Sequence, residues 1–378
     1  MIEVKEIKSK KELKKFAAFP IKLYKNNPYY VPVFRDDDIN LANPKKNSAA
    51  QGCEVKAFLA YKNGEIAGRI AAIIVNESNR RYNEHAVRFS RFDFIEDIEV
   101  AKALLNAAEN FARERNMTKL HGPWGFNDTD REGMLISGFD KLSTYATNYN
   151  YEYYPKFMEE LGYERDSLWL EHKLNVLQME QKEADRYYKL GEYVKKKFKL
   201  TELCETMPLK QIIKNYGDKF FDCYNAAYGK LDMFVDITDD VKKVVLKQFA
   251  TVINPRYLSV VVNEANDVVA FGVVLPAIGT ALKKHGGKLN LGCILDLFKL
   301  IDKPKGLELT LIAVRPEYAK IGFTAVCFGD FVRKIREDQI DSVVSNPTLD
   351  SNTAVRAQWS HIPNEEIKRR QTYVKNIN

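Results

Sequence analysis

Short alternating runs of apolar and polar residues recur along the chain and predict β-hairpins. In the first, the runs Val55–Tyr61 and Glu65–Val75 flank Asn63-Gly64. An Asn-Gly pair between two such runs is a strong signal for a two-residue hairpin turn. The runs Tyr257–Val262 and Val268–Leu275 predict a second hairpin in the second half of the chain.

Apolar residues at helical spacing predict long amphipathic helices. In Glu99–Arg115, for example, Leu104, Ala108 and Phe111 fall on one face, as a period of about 3.6 residues requires. Further helices are predicted at Leu209–Tyr228 and Asp239–Ile253.

The predicted elements occur twice in a similar order, which indicates a duplicated domain. The first half has the order β-α-ββ-β-α-β-α-β, and the charged helical stretch Gln178–Lys199 leads into a similar second half. The period of about 200 residues is that of a whole domain rather than of a solenoid repeat. We therefore expect two domains, 1–178 and 179–378. Each should have a mixed, mostly antiparallel twisted sheet flanked by helices, in a mixed α/β (α+β) fold class.

The segment Leu309–Ala325 predicts a buried strand, a tight turn and a helix. Pro316 lacks an N–H group and ends the strand. Gly322 stands where the helix is expected to begin. A glycine there lets the backbone approach a ligand, and the free N–H groups of a helix start carry roughly half a positive charge. The turn is therefore a candidate anion site.

The pattern Val314-x-Pro316-x-Tyr318-x-x-x-Gly322 resembles the acyl-CoA-binding segment of the GNAT N-acetyltransferase superfamily. In that family the turn follows Q/R-x-x-G-x-G/A, and its amides hold the pyrophosphate of coenzyme A. Those three positions are Ala319, Gly322 and Thr324 here, so only the central glycine matches.

The resemblance implies two tandem GNAT-like acyl-CoA N-acyltransferase domains. It also implies acetyl-CoA or a longer acyl-CoA as co-substrate, and no metal. The cofactor-binding residues that it implies are Val314, Lys320, Ile321, Gly322, Phe323, Thr324 and Asn352.

The first half departs from the family at the matching turn. The residues before its long helix are Ile95-Glu96-Asp97-Ile98-Glu99, which include no glycine and three carboxylates. Negative charge there would repel a pyrophosphate. We therefore expect the first half to keep the fold without a coenzyme turn.

The loop His121–Gly133 follows a short predicted strand and contains two further glycines and a proline. Ligands in open α/β sheets bind beyond the carboxyl ends of strands, so this loop is expected to face a cleft. A solvated turn, and core packing for the tyrosines that follow, remain the alternatives. The candidate substrate-binding residues are Trp124, Asn127, Asp128, Asp130, Tyr149 and Tyr151, and the candidates for the catalytic group are Tyr373, Asp350 and His121.

Residues 277–306 form an insertion between two expected strands of the second half. They carry several lysines and an apolar-faced segment from Leu291 to Ile301. Two interpretations stay open: a lid over an acyl chain, or a surface helix that covers the sheet.

Composition and charge narrow the class of protein. The 378 residues are 45% hydrophobic and 29% charged, as in soluble globular proteins, and their length suggests two or three domains. A net charge of +7 suits anionic substrates, but no basic motif for nucleic acid is present, so nucleic acid is not an expected partner. Five scattered cysteines without C-x-x-C spacing indicate reduced thiols in a cytoplasmic protein. Neither a secretory leader nor a membrane span is expected.

The sequence therefore predicts an enzyme that moves an acyl group from acyl-CoA to an amine acceptor. The expected partners are a small-molecule acyl donor and an amine, while the acceptor, the acyl length and the oligomeric state are not defined. One alternative is a non-catalytic binding protein that keeps only the GNAT fold. The other is an aminoacyl-tRNA-dependent transferase of the tandem-GNAT type. No zinc, Ser-His-Asp, Walker or dinucleotide pattern occurs in the chain.

Overall fold

The structure is a computed structural model that describes residues 1–229, 231, 234–319, 321–353, 355–356 and 361–377, with the backbone alone at 240 and 247–249. The strands are β1 (Ile2–Glu6), β2 (Cys53–Lys62), β3 (Glu65–Val75), β4 (Ala86–Phe94), β5 (Lys119–Gly122), β6 (Met134–Ser137), β7 (Glu164–Leu174), β8 (Thr201–Glu202), β9 (Leu258–Val262), β10 (Val268–Pro276), β11 (Leu307–Val314), β12 (Val343–Ser345), β13 (Thr348–Leu349) and β14 (Asn364–Asn376). The helices are α1 (Lys10–Leu23), α2 (Arg35–Ile39), α3 (Asn76–Tyr82), α4 (Ile98–Glu114), α5 (Tyr153–Glu160), α6 (Gln181–Lys197), α7 (Leu203–Thr206), α8 (Leu209–Tyr228), α9 (Asp239–Val252), α10 (Gly279–His285), α11 (Leu291–Asp302) and α12 (Thr324–Glu337).

One continuous mixed sheet runs through both halves, in the order β1-β2-β3-β4-β5-β14-β7-β12-β11-β10-β9-β8. The last strand, β14, lies between β5 and β7 of the first half, and β7 in turn pairs with β12 and β13 of the second. Each half therefore completes its part of the sheet with a strand of the other. Residue 178 falls between β7 and α6, and the domain boundary there stays a prediction.

The two halves repeat the same arrangement of strands and helices. In each, an antiparallel hairpin leads to a strand that pairs in parallel with a short strand, with a long helix between them: β4-α4-β5 and β11-α12-β12. The strands β4 and β11 each carry one extra residue: Arg91 of β4, opposite β3, and Thr310 of β11, opposite β10. Such β-bulges bend a strand and often lie beside functional sites. Helices pack on both faces of the sheet, which confirms the predicted mixed sheet flanked by helices.

The predicted hairpins are present, and the first has the predicted turn. Asn63 and Gly64 have φ values of 54° and 85°, which fit a type I′ turn. The apolar alternation of Phe198–Leu203 predicts a strand, but the strand is shorter. Lys199 has a positive φ of 49°, which breaks the extended backbone, and only β8 remains. A proline such as Pro20 is expected to kink or end a helix, but α1 continues past it to Leu23.

A buried ion group joins β7 to β14. Glu171 is 0% exposed on β7, and it contacts Arg370 and Lys368 on β14, the latter at 3.2 Å. Although burial raises the pKa of the Glu171 carboxyl, the two cations lower it further, so its pKa lies below its usual value. The charged group thereby fixes the register of the strand pair that both halves share.

We expect Glu171→Gln to lower the free energy of unfolding by about 3–5 kcal/mol, because it leaves two buried cations without a counter-charge. The matched control is Glu366→Gln on β14, where the exposed pair with Arg369 should contribute about 1 kcal/mol or less. Urea unfolding of both variants measures the difference. Equal losses for the two would contradict the role of the buried group.

Candidate active site

The strands β11 and β12 pair over three residues and then separate. Their last paired residues are Leu309 and Ser345, after which the amide of Asn346 donates to the Leu309 carbonyl at 2.9 Å. The chain beyond β12 turns away to pair with β7 through Thr348. The edge of β11 from its bulge at Thr310 to Val314 is thus left without a strand partner on that side.

The cleft between the separated strands contains a cavity of about 160 Å³. On its β11 side, the carbonyls of Thr310 and Ile312 accept hydrogen bonds from the side chains of Asn346 (3.3 Å) and Tyr228 (3.1 Å). Its apolar lining comes from both halves and includes Trp124, Trp169, Val273, Leu309, Leu311, Phe328, Phe331 and Leu349.

One wall of this cavity is the loop 123–133 of the first half, which contributes Asp128 and Glu132. Two arginines of β4 hold the loop. Arg88 donates to the carbonyls of Gly125 (3.1 Å) and Phe126 (3.2 Å), and the bulged residue Arg91 pairs with Asp130. At the end of the loop, Gly133 has a φ of +69°. A Cβ there would come within 2.9 Å of the Arg370 side chain, so the loop rests directly on β14.

The two carboxyl groups of the cavity have raised pKa values. Burial raises the pKa of Asp128 to about 7, although the Arg88 guanidinium lowers it in part. Burial and the nearby Asp128 carboxyl raise the pKa of Glu132 above its usual value, and its Oε1 has no hydrogen-bond partner among the described residues. A carboxyl whose pKa lies near neutrality is suited to take a proton from a reacting group.

The turn after β11 leads to the partly buried start of α12. Gly322 has a φ of +91°, and a Cβ at this position would meet only Val194 Cγ2, at 3.5 Å. Within the described residues, the Gly322 amide has no hydrogen-bond acceptor. The first turn of α12 contains no acidic residue and no side-chain cap. The Phe323 ring is buried against Tyr318 and Phe198, and this packing fixes the turn.

In the first half, a carboxylate caps the helix start at the equivalent position. Asp97 caps α4 by accepting from the Glu99 amide at 3.0 Å, and Asp97 also pairs with Lys62. The two helix starts therefore differ in charge, although they lie at equivalent positions in the two halves. Among the described residues, the start of α12 has no capping carboxylate, so it suits an anion better than the start of α4.

The other predicted site residues are dispersed. Of the predicted coenzyme residues, Val314 ends β11, Ile321 is exposed in the turn, Thr324 begins α12, and Lys320 lies outside the described residues. Asn352 lines the cavity and also caps the Val355 amide. Asp350 is exposed and pairs with Arg356.

The structure brings Trp124 and Asp128 to the cavity, but it separates them from the other predicted substrate residues. Asn127 and Asp130 line a second cavity beside Arg91. Tyr149 and Tyr151 line a third, at the surface of the first half.

His121 and Tyr373 are buried on adjacent strands, β5 and β14, and neither lines the cavity between β11 and β12. Burial lowers the pKa of the His121 imidazole well below its usual value, and burial raises the pKa of the Tyr373 hydroxyl to about 12. Their Nε2 and hydroxyl groups have no hydrogen-bond partner among the described residues.

Sequence reasoning missed Glu132, Trp169 and Tyr228. Glu132 lies in the loop that the sequence marked as a site, four residues after Asp128, so the spacing of carboxylates offered a signal. Trp169 and Tyr228 come from β7 and α8, and only the folded chain brings them to this cavity.

This arrangement is the fold of tandem GNAT proteins. Over its whole length, the chain resembles a tandem GNAT protein from the clavulanic acid biosynthesis pathway, with a TM-score of 0.56, 10% sequence identity and 99% of that chain covered. It also resembles a GCN5-related glucosamine N-acetyltransferase region in a fungal multi-domain GH3 β-N-acetylglucosaminidase, with a TM-score of 0.52 and 12% identity, over 99% of this chain and 38% of that one. These similarities confirm the predicted tandem GNAT-like fold.

Two curated proteins are similar in sequence. The chain is 26% identical to Protein YghO of Escherichia coli (strain K12) over 393 aligned residues, which cover 99% of this chain and 95% of that protein. It is 25% identical to Bacterial ceramide synthase of Caulobacter vibrioides over 329 aligned residues, with 84% of this chain and 81% of that protein covered. No protein-family model matches the chain.

No helix in the described part of the chain is both long enough and apolar enough to cross a bilayer. No group of three or more His, Cys, Asp or Glu side chains in the same part of the chain is placed to hold a metal ion.

The raised pKa of Asp128 makes stability depend on pH. Between about pH 4 and pH 7 the folded protein keeps a proton that the unfolded chain has released, so the free energy of unfolding falls as pH rises through this window. Asp128→Asn has no such proton to lose. From pH 5 to pH 8 we expect the variant to gain about 2.6 kcal/mol relative to the wild type, because nearly two pH units lie below the folded pKa and each corresponds to about 1.4 kcal/mol.

Urea unfolding at the two pH values measures this gain. The exposed residue Glu160 on α5 supplies the control variant Glu160→Gln, which should show no such change. A constant difference between Asp128→Asn and the wild type would contradict the raised pKa.

Proposed function

We propose that the protein transfers an acyl group from acyl-CoA to a primary amine in the cleft between β11 and β12. The observation that carries this proposal is the separation of β11 from β12 beyond Leu309, which leaves an edge of β11 without a strand partner beside a cavity that holds Asp128 and Glu132. The uncapped start of α12 follows β11 in the chain. The GNAT-like fold supports an acyltransferase of this kind.

Positive charge near Gly322 would favour a pyrophosphate at this turn. The Gly322 amide lacks an acceptor among the described residues, and a Cβ on Gly322 would meet only Val194 Cγ2, at 3.5 Å. The exposed residue Lys197 lies over the Phe198 ring, and Phe198 packs on Phe323, so a cation stands close to the turn. The pantetheine arm would then follow the free edge of β11 towards the cavity.

The reaction requires a base for the amine, and the cavity supplies a carboxylate. The amine nitrogen attacks the thioester carbonyl, a C–N bond forms, and the C–S bond breaks. In our proposal the Asp128 carboxylate, coupled to Glu132, accepts the proton that the amine loses. The departing thiolate of coenzyme A takes up a proton to become the free thiol.

The lining of the cavity favours an apolar acceptor or a long acyl chain, because most of its walls are aromatic or aliphatic side chains. A ceramide is the amide of a fatty acid with a long-chain amino alcohol. The similarity to Bacterial ceramide synthase therefore makes a long-chain amine the first acceptor to test.

The two alternatives make different predictions for the same assay. A non-catalytic binding protein, whose coenzyme turns have both decayed, would release no free thiol with any amine. An aminoacyl-tRNA-dependent transferase would need charged tRNA and would bind it in a salt-dependent manner.

We expect Thr324→Glu to weaken the binding of acetyl-CoA and palmitoyl-CoA at least tenfold, because the new carboxylate at the start of α12 would repel the pyrophosphate. The same charge interacts favourably with the helix amides, by about 0.3–1 kcal/mol, so the melting temperature should not fall. Isothermal calorimetry and a thermal melt separate these two effects.

The control is Gln181→Glu, which places the same charge at the first residue of α6. Val194, the residue that faces Gly322, lies near the other end of that helix. It should leave acyl-CoA binding unchanged. Wild-type affinity in Thr324→Glu, or no detectable heat for the wild type at millimolar acyl-CoA, would refute the coenzyme site.

For catalysis, we expect kcat/KM of the wild type to rise with pH through about 7, as the Asp128 carboxyl loses its proton. Asp128→Asn should lower kcat/KM by roughly 10²- to 10⁴-fold, the range for removing a general base, and should lose this limb of the profile. Release of the coenzyme A thiol with a panel of long-chain amines and amino sugars provides the measurement.

Glu160→Gln should behave as the wild type in this assay. If Asp128→Asn keeps both the rate and the pH limb, Asp128 is not the base.

A further inference from the structure

The helix α11 in the insertion presents an uncovered apolar face. Leu291, Leu295 and Phe298 are spaced at i, i+4 and i+7, and their exposed fractions are 73%, 53% and 64%. Leu289, just before the helix, is 57% exposed. These side chains form a ridge about 10 Å long at a rise of about 1.5 Å per residue. We call these four residues the α11 ridge.

The opposite face of α11 anchors the helix to the protein. Cys293 and Leu297 are buried in a small core with Leu282 of α10 and Val31 of the first half. Phe34 packs against the same core. The insertion therefore neither covers the main sheet nor closes over the cavity at β11, which were the two interpretations of its sequence. The α11 ridge is held rigidly outward instead.

An apolar pocket continues inward from the α11 ridge. A cavity of about 750 Å³ lies between α11 and the segment around Phe34, and Leu289 and Phe298 stand at its edge. Its walls include Ile39, Val252, Ile294, Leu297 and Ile301. Exposed apolar surface that leads into an apolar pocket is typical of an interaction site.

Lysines lie beside the α11 ridge and just beyond its ends. Lys288, Lys299, Lys303 and Lys305 are all exposed, and none has an ion-pair partner among the described residues. Asp296, on the same side of the helix as Lys299, pairs with Lys284 at 2.7 Å and also contacts His285. The exposed acids nearby are Asp302 at the end of the ridge and Asp36 at the adjoining pocket, so the four lysines leave a net positive charge.

We propose that α11 docks the protein on the surface of an anionic membrane. The α11 ridge would enter the boundary between headgroups and acyl chains, and the lysines would contact anionic headgroups. A helix with large apolar side chains on one side and lysines beside them has the chemistry of interfacial membrane helices. A protein partner of matching shape would not require the unpaired lysines. This proposal does not depend on the acyl-transfer chemistry.

Co-sedimentation of the full chain with lipid vesicles tests the proposal. The test compares vesicles of phosphatidylcholine that contain roughly 30% of the anionic lipid phosphatidylglycerol with vesicles of phosphatidylcholine alone. We expect at least tenfold tighter binding to the anionic vesicles, because the lysines are attracted to their surface. Binding should weaken at high salt, because the lysine contribution is screened. The variant Leu291→Ser/Leu295→Ser/Phe298→Ser should lose at least tenfold in binding, at an unchanged melting temperature.

Two further variants test the lysines separately and control for the loss of exposed apolar side chains. Lys299→Gln/Lys303→Gln/Lys305→Gln should abolish the preference for anionic vesicles while leaving the ridge intact. The control Leu142→Ser/Leu190→Ser/Tyr193→Ser removes three other large exposed side chains, with exposed fractions of 47%, 46% and 59%, and should bind as the wild type.

Absence of vesicle binding, or binding that the ridge variant retains, overturns the proposal. So does a dimer in light scattering that the ridge variant converts to a monomer without any vesicle binding, since the ridge would then face a second copy of the chain.

Discussion

A buried carboxylate between two cations holds the strand pair on which both halves depend. Glu171 on β7 faces Lys368 and Arg370 on β14, and all three side chains are almost fully excluded from solvent. Breaking such a group is costly, because each charge would be left in the interior alone. The same strand pair also supports the candidate active site. Arg370 supports the loop end at Gly133, and Trp169 on β7 forms a wall of the cavity.

The two halves share one frame but differ at one equivalent position. Each half has a bulged strand, a long helix and a parallel strand, yet only one of the two helix starts carries a capping carboxylate among the described residues. Asp97 closes the start of α4, whereas the turn at Gly322 leaves α12 open to an anion. In the first half the bulged residue Arg91 instead holds the loop that carries Asp128. In the proposed reaction, the first half would provide the acceptor side of the site and the second half would provide its coenzyme side.

Much of the local structure could be predicted because its causes are local. Asn63-Gly64 specifies a turn, and the apolar period of α4 specifies a helix, with no information from elsewhere in the chain. The Gly322 turn was found for the same reason. The pairing of β14 with β5 could not be predicted, because it joins residues about 250 positions apart and no short-range pattern encodes it. The predicted strand at Phe198–Leu203 was too long, since apolar alternation does not show the positive φ of Lys199.

The candidate site was predicted only in part, for the same physical reason. Asp128 stood out in its loop, but its raised pKa comes from burial by residues of both halves. Tyr228 and Trp169 reach the cavity only through tertiary packing. Likewise, the period of α11 indicated an apolar face, while its exposure is a property of the fold.

The most direct test of this account is a crystal structure of the protein with a non-hydrolysable acyl-CoA analogue. The account requires the pyrophosphate at the amides of residues 321–324, the pantetheine arm along the free edge of β11, and the acyl carbonyl in the cavity beside Asp128. A ligand bound at the start of α4, or side chains that fill the cleft between β11 and β12 at saturating ligand, would contradict it.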